Sequence, residues 1–184
     1  MESTEITYDG LCKMIEACAV PVSYEVLKNR KKMLVIAISE EVRFQRSVQK
    51  IVTYNPDIEL IIVAQTGMVK VLDGIYGEKY SIVGWEGKYT VEVINKLKAE
   101  RGIGGIDSFL YFTQHSINLR DNNFINIALE LQKEINIHVY SDTVGYELYE
   151  YHNIPLYSQG IKVYEEINKL IDLHFSDADE ENVL

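Results

Sequence analysis

The sequence predicts an α/β three-layer sandwich around a mainly parallel sheet of five or six strands, Rossmann-like or flavodoxin-like. Three observations carry that expectation. Short β-branched runs recur at intervals of about 20 to 30 residues. These runs are apolar on both faces, as strands are when helices cover both sides of a sheet. The segments between them repeat their apolar residues at helical spacing. Such alternation builds right-handed crossovers between parallel strands.

The elements follow in chain order. Residues 7–18 and then 23–29 read as helices. Residues 1–32 are thus expected to form a helical extension packed on a single domain spanning 1–176. Residues 33–38 give the first strand. Val42, Val48, Ile51 and Val52, with Ser47 on the same period, give a helix. It stops ahead of Asn55-Pro56, because proline removes a donor and disfavours helical backbone before it. Residues 58–63 and 80–83 give the next two strands. Thr90 caps a helix carrying Val93, Ile94 and Leu97, with Gly102 past its end. Residues 107–112 form the fourth strand. Asp121-Asn122-Asn123 opens a helix with Phe124, Ile127, Ala128 and Leu131 on one face. Residues 135–140 give the fifth strand, and 154–157 a short sixth that Pro155 restricts to an edge or a strand start. Ile161, Tyr164, Ile167, Leu170, Ile171 and Phe175 mark a final amphipathic helix, and 177–184 an acidic flexible tail.

Composition narrows the function. A chain of 184 residues fits one domain and can bury a core without staples. It holds 18 Lys+Arg against 28 Asp+Glu, a net charge of −10, so phosphate neutralisation on nucleic acid is not expected. Seven of those ten charges fall in residues 143–184, where nine acids meet only Lys162 and Lys169. The basic run Lys28-Asn29-Arg30-Lys31-Lys32 flanks a buried strand. Cys12 and Cys18, six apart on a helix-like segment, point in different directions and read as reduced apolar residues. The acidic start has no leader pattern and no apolar run is long enough to span a bilayer, so a cytoplasmic protein is expected.

In an open α/β sheet, ligands sit beyond the carboxyl ends of the strands. Those ends carry Ser39, Glu40 and Glu41; Gln65 and Thr66; Trp85; Gln114, His115 and Asn118; and Asp142 and Thr143. The first turn has two carboxylates and no glycine, so neither a dinucleotide fingerprint nor a phosphate loop is present. The run Gly102-Ile103-Gly104-Gly105 precedes a strand and reads as a helix stop. Receiver chemistry needs an aspartate after the third strand, where this chain has Gly84-Trp85. Ser116 lacks the glycines of a nucleophile elbow, and His115, His138, His152 and His174 have no metal-ligand spacing. His115 is the one histidine at a strand end. No cofactor or metal is implied. The remaining carboxylates, amides, indole and imidazole suit a carbohydrate-type or small polar ligand.

The sequence Asn55-Pro56-Asp57-Ile58-Glu59-Leu60, with the later strand at 106–111 and the helix around Asn122 to Ala128, resembles the amino-terminal half of GT-B glycosyltransferases, nearest the heptosyltransferase-like group. The resemblance implies the acceptor-binding half of an enzyme that moves a sugar from a nucleotide sugar. It implies Glu40 or Glu41 as catalytic base and a partner chain to supply the nucleotide-binding half. His115 joins them as a catalytic candidate through its own place at a strand end. A reading of another class is a non-catalytic interaction module, homodimeric through the tyrosine-rich carboxyl-terminal region. Tyr140, Tyr146, Tyr149, Tyr151, Tyr157 and Tyr164 crowd there.

Overall fold

A computed structural model describes residues 19–37, 41–113, 122–132, 135–143, 147–151 and 169. The elements are β1 (Ala19–Val22), a 3-10 helix η1 (Tyr24–Asn29), β2 (Lys32–Ala37), α1 (Glu41–Tyr54), β3 (Glu59–Gln65) and α2 (Thr66–Tyr76). There follow β4 (Ser81–Trp85), α3 (Glu92–Glu100), β5 (Ser108–Thr113), α4 (Asn122–Gln132), β6 (His138–Thr143) and β7 (Glu147–Tyr151). They build one sheet in the order β1-β7-β6-β5-β2-β3-β4. The five strands from β4 to β6 are parallel, and their order, outward in both directions from β2, is that of a Rossmann-type sheet and not of flavodoxin.

Alternation along each strand sends side chains to two cores. Leu34, Ile36, Ile61, Val63, Phe109 and Tyr111 pack on one face with Val93, Ile94 and Leu97 of α3 and Phe124, Ile127 and Leu131 of α4. Met33, Val35, Leu60, Ile62, Leu110 and Phe112 pack on the other with Leu27 of η1, Phe44, Val48 and Ile51 of α1, and Leu72 of α2. The expected α/β sandwich is therefore the observed one.

Four local differences have physical reasons. Residues 19–22, placed by sequence in a helical extension, are a strand: β1 pairs antiparallel with β7, and Pro21, which has no N–H to donate, sits in this edge strand. β7 in turn pairs antiparallel with β6, so the sheet gains two strands beyond the parallel five. Residues 23–29 coil as a 3-10 helix capped by Ser23, whose Oγ accepts from the Glu25 amide at 3.2 Å. Sequence does not predict α2, because Gly67, Gly74 and four β-branched residues (Thr66, Val69, Val71 and Ile75) depress helix propensity. It forms because Leu72, Met68 and Tyr76 have a core to enter, and Gly84 lets it lie close. A Cβ there would meet Thr66 Cγ2 at 3.0 Å. The expected helix at 7–18, strand at 154–157 and tail at 177–184 lie outside the described residues, as does the final helix except for residue 169.

Candidate functional site

One transverse row of the register marks the carboxyl edge of the sheet. From β1 to β4 it reads Val22, Leu148, Asp142, Phe112, Ala37, Ala64 and Gly84. Strand order reverses between β2 and β5, and the loops beyond them lie outside the described residues, with Ser39, Glu40, Gln114, His115 and Asn118. Glu41 opens α1 and Thr143 closes β6. Apart from Glu41, which follows the central β2, the described candidates fall at opposite ends of the row.

At the β3/β4 end the polar groups fold a loop. Gln65 Nε2 donates to the Gly87 carbonyl at 2.9 Å, and Trp85 Nε1 to the Lys88 carbonyl at 2.9 Å. Thr66 Oγ1 donates to Glu86 Oε1 at 3.3 Å. Lys96 Nζ donates to the Gly84 carbonyl at 2.7 Å and lies 5.9 Å from the Trp85 ring centre. Gly87 turns the chain back with φ +80°, a region that favours glycine. Tyr89 is buried against this knot, and burial raises its phenol above the ordinary range. Gln65, Thr66 and Trp85 thus hold down residues 86–89.

At the other end the row turns polar. Asp142 is fully buried and accepts hydrogen bonds from the Tyr24 hydroxyl and from Ser47 Oγ. Tyr24 opens η1 and Ser47 lies on the inner face of α1, so one carboxylate joins β6, η1 and α1. Burial, and next the Asp142 charge, push the Tyr24 phenol far above its ordinary value of 10.0. It stays neutral with its proton directed at Asp142, which suits a fixed platform and rules out a phenolate nucleophile at neutral pH. Asn55 fastens the same region: its Nδ2 donates to the Leu27 carbonyl at 2.9 Å and the Arg30 carbonyl at 2.6 Å.

Outside Tyr24 lies a cleft of about 480 Å³, lined by Pro21, Val22, Ser23, Tyr24, Lys50, Tyr54, Glu147 and Leu148. Lys50 Nζ stands 5.3 Å over the Tyr24 ring centre, a cation–π distance. Two aromatic rings, an ammonium and a carboxylate therefore share one wall-and-rim arrangement at the sheet's carboxyl edge. Of these groups sequence reasoning reached only Asp142 beneath the floor. Ser47, a hydroxyl on the apolar period of α1, was the one other readable signal.

The tyrosine-rich stretch divides. Tyr140 and Tyr151 are buried in cores on opposite faces, and Tyr151 shares a 3.1 Å hydrogen bond with Ser141 Oγ. They fill the interior and do not share one surface patch. Tyr146, Tyr157 and Tyr164 lie outside the described residues. His138 Nδ1 is 3.6 Å from Glu150 Oε1 at a partly exposed strand start. Among the described residues no group of three or more His, Cys, Asp or Glu could hold a metal, and no helix is long and apolar enough to cross a membrane.

No family model and no curated protein matches this chain. Among solved structures it is similar to the mitomycin 7-O-methyltransferase MmcR, at 12% identity and a TM-score of 0.41. The likeness covers 64% of this chain and 34% of that one, so the chain spans about a third of that enzyme's length. A likeness at this level carries no argument about activity. The glycosyltransferase resemblance is corrected by these findings: no family of that kind matches, and the structure named above is a methyltransferase. Its central motif has a structural cause, since Asn55-Pro56 ends α1 while the Asn55 amide ties down η1.

Proposed function

We propose that this Rossmann-like domain binds a small polar ligand of carbohydrate type in the cleft between β1, α1 and β7. The single observation behind the reading is the pairing of Tyr24 and Tyr54 with Lys50 and Glu147 in one cleft of about 480 Å³. A cleft of this size suits a small molecule. A sugar ring offers an apolar C–H face to an exposed phenol ring, and Tyr54 is 45% exposed. Its hydroxyls would accept from the Lys50 ammonium and donate to the Glu147 carboxylate. The buried Asp142 acts beneath this surface by holding Tyr24, and through its ring the Lys50 ammonium, in one orientation.

The reading is one of binding. Tyr24 keeps its proton, and Ser23 Oγ is engaged as the cap of η1, accepting from the Glu25 amide. Saturation-transfer NMR with monosaccharides, oligosaccharides, amino acids and nucleotides tests it on the full chain. Saturable sugar binding is expected, weakened at least about tenfold, or about 1.4 kcal/mol, by Tyr54→Ala and by Glu147→Gln. Binding that survives both substitutions unchanged, or a panel with no saturable ligand, would discard the cleft.

A further inference from the structure

Helix α2 presents an apolar strip to solvent. Val71 is 43% exposed and Ile75 49%, and they stand one turn apart, so their side chains adjoin. The other exposed large apolar residues described, Val20 and Tyr54, lie on other elements. Gly67 and Gly74 share the face of Val71, and a Cβ at either would meet nothing within 4 Å. Neither glycine is required by packing inside the chain, yet each weakens the helix relative to alanine. Four exposed charges lie along this stretch: Lys70 and Asp73 on the helix, Glu78 and Lys79 just past its end. Helical spacing sets Asp73 away from Val71, and Lys79 stands over the Tyr80 ring at 5.3 Å, which leaves Lys70 and Glu78 to flank the strip.

This face is complementary to itself. When two such helices cross antiparallel about a two-fold axis at Gly74, the two Gly74 positions meet and the backbones approach closely. Val71 and Ile75 of both copies then surround the crossing, and Lys70 of each helix faces Glu78 of the other. A parallel crossing would set like charges on one another. We propose that the α2 face is an interface between two copies of this chain, crossing antiparallel at Gly74. One helix per partner covers less than the roughly 800 Å² that a standard interface buries on each side, so the association is reversible and depends on concentration. The inference does not rest on the ligand cleft, which lies by β1 and β7 at the other end of the sheet.

Sedimentation velocity on the full chain over a wide concentration range tests it. A sedimentation coefficient that rises with concentration is expected. Ile75→Lys, and Gly74→Leu at a position with open space in the single chain, should each weaken the dimer about tenfold or more. Circular dichroism and thermal midpoint should match the parent chain for Ile75→Lys and should match or exceed it for Gly74→Leu, since leucine favours the helix over glycine. Lys70→Glu and Glu78→Lys should each weaken it about two- to fivefold at low salt. The double swap Lys70→Glu/Glu78→Lys should restore it, since these residues are too far apart along one helix to pair with each other. A monomer at every concentration overturns the proposal. So does a dimer indifferent to Ile75→Lys, or a double swap that fails to restore association.

Discussion

At the β3/β4 end of the carboxyl edge, Gln65 and Trp85 donate to carbonyls 22 and 3 residues away. At the β6/β1 end, Asp142 accepts from Tyr24 and Ser47, 118 and 95 residues distant. Both ends carry polar side chains at strand ends, but one set donates from neutral groups, the other accepts on a buried carboxylate, and the range of the bonds differs. Short-range bonds shape a loop on a sheet that is already complete. Long-range bonds to a buried carboxylate hold three elements in register and make the floor of a cleft. A polar strand end is therefore a candidate for function when its partners come from distant elements, and a candidate for loop closure when they come from the loop after the adjacent strand.

The largest effect that tests this contrast is expected at Asp142. Asp142→Ala leaves two buried hydroxyls without their charged acceptor and should cost about 3 kcal/mol, read as a lower urea midpoint. Gln65→Ala should cost about 1 kcal/mol, since its donor bond lies at an exposed loop. Equal losses at the two sites would break the comparison.

A second test uses pH. The Tyr24 phenol is raised in the folded protein, so its contribution is complete below the unfolded phenol value near 10 and is lost as pH climbs above it. Stability of the parent chain should fall by up to about 1.4 kcal/mol per pH unit from this one group above pH ~10. Tyr24→Phe should lose that component of the slope, while Trp85→Phe should keep it. Urea titrations at stepped alkaline pH read the difference, and identical slopes for Tyr24→Phe and the parent would remove Asp142 and Tyr24 from the argument.

The smallest effect sharpens the local side. Gly87→Ala places a Cβ at φ +80° and should cost about 1 kcal/mol or less. Hydrogen exchange should quicken at residues 86–89 and stay unchanged in η1 and β6. Spread of the effect to η1 would show that the two ends are not independent.

What could be read from sequence follows the same division by range. The strands of the parallel five are local apolar runs, and the stops at Asn55-Pro56 and at Gly102, which has φ +75°, are local chemistry. Strand order was not legible, because the pairing of Ala19 with Tyr151 leaves no local mark. Nor was the cleft: Tyr24, Lys50 and Glu147 come from three distant segments. Gln65 and Trp85 were found as polar strand ends, but their partners are main-chain carbonyls, which every residue carries and no sequence pattern advertises. α2 was hidden by its glycines, because its stability comes from Leu72 and its neighbours entering a core that the segment alone does not specify.

The pairing of β1 with β7 also sets an order of assembly. Of the seven described strands, β1 leaves the ribosome first, and β7, its partner among them, leaves last. β2 to β6 can align as neighbours while synthesis continues, but β1 has no strand to join until β7 follows β6. Closing so long a loop costs entropy before any ladder bond repays it. The outer edge of the sheet, with the cleft beside it, is thus the last part to form, and a ribosome stalled before residue 147 holds a nascent domain with an unpaired apolar strand at its start.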